Sequence, residues 1–88
     1  MNKNNKEILL KIMKDWYREA FKSKFHLMGP VYYHINDNEL TIYTGWPGLM
    51  IGLHGQLVDK YEKILKDNNF NYDVKFIDLP KYSGIYEI

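Results

Sequence analysis

From Lys6 to about Lys24, apolar side chains fall at Ile8, Leu9, Ile12, Met13, Trp16, Ala20 and Phe21. This three-and-four spacing lines one face of an α-helix. The opposite face carries Glu7, Lys11 and Asp15 at helical pairing distances, with Arg18 and Lys22 as like-charged neighbours, so it reads as a solvated surface. Gly29-Pro30 breaks the pattern. Val31 to Ile35 and Leu40 to Thr44 then alternate as strands around the polar Asn36-Asp37-Asn38, which predicts a β-hairpin. Val31, Tyr33, Ile35, Leu40 and Ile42 would share one face of it, and Tyr32, His34, Thr41 and Tyr43 the other.

Pro47 suits the first turn of a helix, and Pro47 to Ile51 leaves room for only a brief one before Gly52. After the Gly52–Gly55 loop, Leu57, Val58, Tyr61, Ile64 and Leu65 define a second amphipathic helix from Gln56 to about Lys66. Asp67-Asn68-Asn69 ends it, and Tyr72 to Leu79 returns to strand alternation through Val74, Phe76 and Ile77. The expected organisation is a flexible N-terminus at 1–5, one domain at 6–80, and a tail at 81–88. Tyr82, Ile85, Tyr86 and Ile88 make that tail apolar enough to fold back over the sheet or meet a partner.

An 88-residue chain suits one compact core, and 45% hydrophobic with 16% aromatic residues exceeds what a disordered chain carries. The net charge of +1 is unevenly spread. Residues 1–24 hold seven basic and three acidic side chains, and residues 25–88 hold five basic and eight acidic, so the positive charge sits in the first helix. With no cysteine there is neither a disulfide framework nor a thiolate metal site, and a cytoplasmic setting is the default expectation. The lysine-rich start, with charge at Lys11, Lys14 and Asp15 among the apolar residues after it, is unlike a secretion signal, and no stretch is long and apolar enough to span a membrane.

The order helix, strand, strand, short helix, glycine loop, helix, strand predicts an α+β fold with helices on one face of a three-stranded sheet. Within it, Leu40-Thr41-Ile42-Tyr43-Thr44-Gly45-Trp46-Pro47-Gly48-Leu49-Met50-Ile51-Gly52-Leu53-His54-Gly55 resembles the type II K-homology (KH) domain of the small-subunit ribosomal protein at the mRNA entry channel. That family reads T-I-x-T-A-R-P-G-x-x-I-G-[KR]-[KR]-G. The likeness runs on through Val58-Asp59-Lys60-Tyr61-Glu62-Lys63-Ile64-Leu65 and Phe76-Ile77-Asp78-Leu79-Pro80, covering roughly residues 7 to 80.

The resemblance implies a type II KH-like α-β-β-α-α-β fold and binding of single-stranded RNA, with single-stranded DNA as a second possibility. In such a loop, glycines allow a sugar-phosphate backbone to approach bare main chain, and the amides at the start of the next helix face phosphate. The implied roles are backbone approach at Gly52 and Gly55, phosphate contact by amides from Leu53 and His54 to Gln56, base contact by Ile51 and Trp46, and positive charge from Lys60. Three positions depart from the family pattern: Trp46 stands where it has Arg, and Leu53 and His54 where it has two basic residues. The departures imply weaker and less salt-sensitive binding than in a basic relative. They also motivate the alternative, a degenerate KH domain acting as a protein-interaction or inhibitory module through Trp46, Leu53 and His54 or through the tail.

Plainer readings stand beside these. Gly52 and Gly55 also suit a tight helix-to-helix turn without a ligand, and Trp46 a partly buried packing residue. His26, His34 and His54 lack companions at ligand spacing, so no metal or cofactor is expected. Ser23 and Ser83 sit in no nucleophile context, so no enzyme activity is expected either.

Overall fold

The computed structural model describes residues 3–79. Helix α1 spans Lys3–Phe21, β1 Tyr32–Asn36, β2 Glu39–Thr44, α2 Pro47–Ile51, α3 Gln56–Asp67 and β3 Asp73–Asp78, with short 3-10 turns at Phe25–Leu27 and Leu53–Gly55. The architecture is α+β around a three-stranded mixed sheet in the order β1-β2-β3. The proposed tail at 81–88 lies outside the described residues.

Helix α1 stops where its apolar stripe stops. Phe21 is its last buried residue, and the following Lys22, Ser23 and Lys24 are exposed, with the Lys24 amide closing a turn onto the Phe21 carbonyl at 2.9 Å. The sequence offers no helix breaker between Phe21 and Gly29, so the spacing alone allows a helix to about Lys24, yet no packing holds that last turn. At the other end α1 begins at Lys3, ahead of the first apolar residue, since each added residue gains a backbone hydrogen bond once a helix exists.

The hairpin register pairs Tyr33 with Ile42 and Ile35 with Leu40, while β2 pairs Leu40 with Val74 and Ile42 with Phe76. These residues share one face, on which Leu40 and Ile42 are fully buried with Trp16, Phe21, Met50 and Leu65. The opposite face carries Tyr32, Tyr43 and Ile77 in one row, and Tyr32 and Ile77 remain exposed there. Thr41 lies on that face too but is buried, flanked in register by His34 and Lys75 on the two neighbouring strands. Strand β3 runs parallel to β2 because the chain returns to the sheet through α2 and α3, a crossover that parallel pairing requires.

Helix α3 ends by a capping geometry that its sequence explains. Asn69 takes a left-handed φ of 67°, the Phe70 amide reaches back to the Leu65 carbonyl at 2.8 Å, and the Asn69 amide to that of Lys66 at 3.0 Å. This is the Schellman arrangement, with buried Phe70 and Leu65 supplying the apolar contact that accompanies it. The chain is thereby turned into β3.

Candidate functional site

The site is built on α2, which springs from the end of the central strand. Thr44 is buried, and its hydroxyl accepts the Trp46 amide at 3.1 Å, fixing the residue before Pro47 at the helix start. Five residues later Gly52 ends the helix with φ 81° and ψ 170°, a region open essentially only to glycine. A Cβ there would stand 2.7 Å from the Leu57 Cβ and 2.9 Å from its nitrogen. The first glycine of the loop therefore lets the start of α3 pack directly on the end of α2.

The rest of the loop is a tight turn of left-handed residues. His54 has φ 56° and ψ 25°, Gly55 has φ 75° and ψ 12°, and the Gln56 amide bonds to the Leu53 carbonyl. These angles are those of a type I′ turn over Leu53–Gln56. The Gly55 amide is also used, donating to the Gly52 carbonyl at 3.1 Å. The amides of Leu53 and His54, by contrast, have no acceptor among the described residues. Leu53 is 74% exposed, His54 and Gln56 are exposed, and a Cβ on Gly55 would meet nothing closer than Val58 at 4.0 Å. The turn thus leaves two amides without an acceptor among the described residues, beside main chain that Gly55 keeps clear of side-chain bulk.

Comparison with protein-family models, curated proteins and solved structures finds no match for this chain.

The structure brings Ile51, Gly52, Leu53, His54, Gly55 and Gln56 together as one continuous bend, with Ile51 half-buried at its inner edge. Trp46 stands at the other end of α2, about 8 Å away at the helical rise. It is partly exposed and lines a cleft of about 470 Å³ with His26, Leu27, Pro30, Tyr32 and Leu79. Lys60 lies one helical turn beyond Gln56 on α3, but its ammonium is held by Glu19 of α1, at 2.8 and 3.0 Å from the two carboxylate oxygens. The chain from Pro47 to Asp59 holds no Lys or Arg, and Asp59 adds a negative charge in the first turn of α3.

Residues that sequence reasoning assigned to packing alone hold this site in place. Trp16 is fully buried, stacks on Tyr61 at 5.2 Å between ring centres, and meets Phe76 edge-on at 6.0 Å. Its indole Nε1–H donates to the Met50 carbonyl in the last turn of α2 at 2.8 Å. The Tyr61 hydroxyl donates to Glu19 at 2.7 Å. Hydrogen bonds from Lys60 and then Tyr61 hold the Glu19 carboxyl below the usual glutamate range. Burial, and then the Glu19 carboxylate, push the Tyr61 hydroxyl well above its usual range. No periodicity reports such contacts, because an indole on an apolar stripe reads as core whether or not its N–H has a task.

Among the described residues no group of His, Asp and Glu is placed to hold a metal ion, and no helix is long and apolar enough to cross a membrane.

Proposed function

We propose that the chain is a small binding module of the type II KH kind, which grips the backbone of single-stranded RNA, or of single-stranded DNA, at the Gly52–Gly55 bend. The observation that carries this reading is the exposed type I′ turn whose Leu53 and His54 amides have no acceptor among the described residues, while Gly55 leaves the approach to them clear. Turns of this kind offer N–H groups to an anion, and phosphate oxygens are the acceptors a nucleic acid supplies. Ile51 and Trp46 offer apolar and aromatic surface for bases at either end of α2. The module binds and does no chemistry.

With Lys60 tied to Glu19 and no other cation between Pro47 and Asp59, few counterions are released on binding. Affinity is therefore modest, and its dependence on salt shallow. Fluorescence anisotropy with short labelled RNA and DNA strands at low ionic strength tests the reading. The wild type binds, and a Leu53→Asp, His54→Asp double variant, which leaves both glycines in place, loses binding by charge repulsion. If the wild type binds neither polymer, the nucleic-acid reading fails.

A second reading rests on Leu53, a large apolar side chain standing 74% exposed at the tip of a bend without cations. That is the chemistry of an anchor for a protein partner. Under this reading the same double variant loses a protein contact, and no oligonucleotide binds at any ionic strength.

A further inference from the structure

We infer that Trp16, buried in α1 and far from the loop in sequence, is the positioning residue that keeps the Leu53 and His54 amides available to a ligand. The nature of that ligand rests on the nucleic-acid reading above, whereas the geometry of the amides does not. Helix α2 has only five residues, so its last carbonyls must find partners outside a long hydrogen-bond ladder. Gly48 is satisfied by the Gly52 amide at 2.9 Å. In a helix that ran on, the Met50 carbonyl would accept the His54 amide four residues later. Here it accepts the Trp16 indole N–H at 2.8 Å in buried surroundings instead.

The end of α2 is thus capped by a side chain from another helix, and Gly52 turns the chain away before the loop amides are used. The aim of the indole is fixed in turn. Trp16 lies parallel to the Tyr61 ring within 2°, and its edge contact with Phe76 blocks rotation. Removing the indole N–H leaves a buried carbonyl without a donor, a costly state. Along the chain, the next donors able to relieve it are the loop amides. Recruiting them lengthens α2 at the expense of the turn, and the ligand loses its donors.

The test compares the wild-type chain with Trp16→Phe, which keeps an aromatic ring but no N–H, and Tyr61→Phe, which removes the Glu19 hydrogen bond but leaves the indole donor. Amide NMR of the free proteins reads the chemical shifts and hydrogen exchange of Leu53 and His54. Anisotropy reads affinity for a mixed-sequence single-stranded RNA of about ten nucleotides, a length beyond the four or so a KH loop clamps.

In Trp16→Phe the two loop amides shift and exchange more slowly, and RNA affinity falls about tenfold, the scale of one lost hydrogen bond to a charged group. In Tyr61→Phe the loop amides keep their wild-type behaviour. The inference is overturned if Trp16→Phe folds with loop amides like those of the wild type, or if both variants move them equally. Should Trp16→Phe not fold, the benzothiophene analogue of tryptophan at that position keeps the bicyclic ring, lacks the donor and gives the same comparison. A wild type that binds no RNA overturns the ligand while leaving the amide comparison intact.

Discussion

A Cβ on Gly52 would press within 2.9 Å of the Leu57 backbone nitrogen, whereas a Cβ on Gly55 would enter open space. The two glycines of the loop are therefore required for different reasons, one by packing and conformation together and the other by conformation alone. Gly52→Ala is expected to cost about 3 kcal/mol, combining a glycine-only backbone region with a clash, and Gly55→Ala about 1 kcal/mol. Urea unfolding of the two variants checks this, and equal losses would contradict it. His54 carries a left-handed φ of 56° in the first central position of a type I′ turn, where Asn is preferred. His54→Asn is expected to stabilise the fold by about 0.5 kcal/mol while leaving binding through the main-chain amides intact, as urea titration and anisotropy on one preparation would show. The sequence made the glycine pair visible, but not that one of them answers to Leu57, because that contact exists only once α2 and α3 have folded against each other.

At the scale of elements, helix and strand positions followed from periodicity, and departures occur where periodicity has nothing to report. The last predicted turn of α1 has no buried residue to hold it after Phe21, and the start of α1 extends ahead of its apolar stripe. The join between α1 and α3 was hidden because its members are polar groups on separate helices. Glu19 sits among the charges of α1, yet it bonds Lys60 and Tyr61 across the interface.

That join predicts a pH dependence. The Glu19 carboxyl is depressed in the folded state, so its stabilising contribution is present above the ordinary glutamate value near 4.5 and is lost as pH falls through the lower folded value. Glu19→Gln is expected to cost about 1 kcal/mol at pH 7, the scale of a partly exposed hydrogen-bonded pair. It should also flatten the loss of stability below pH 4.5 that the wild type shows. Thermal unfolding across an acid pH series measures both, and parallel curves for the two proteins would exclude this role for Glu19.

Across the whole molecule, the order of elements and the two faces of the sheet were legible, since the alternation of Tyr33, Ile35, Leu40 and Ile42 assigns them to one side. The parallel pairing of β3 with β2 was not read, because strand direction depends on how the chain crosses back and not on the strand's own residues. Trp16 joins α1 to α2, α3 and β3 at once, so these four elements are expected to come apart together. A Trp46→Phe variant, in which Trp16 is the sole fluorophore of its kind, is expected to unfold in one transition coincident by tryptophan emission and far-ultraviolet circular dichroism. Separate midpoints would show that this hub does not govern the whole fold.

Contact between the α2–α3 bend and the backbone of a single strand is read most directly by NMR titration of the wild-type chain with single-stranded RNA at low salt. The largest shifts are expected on the Leu53 and His54 amides, followed by the Trp46 indole, while the outer sheet residues His34 and Ile77 stay still. A titration that leaves the two loop amides unmoved, or that moves the outer sheet face instead, would contradict it.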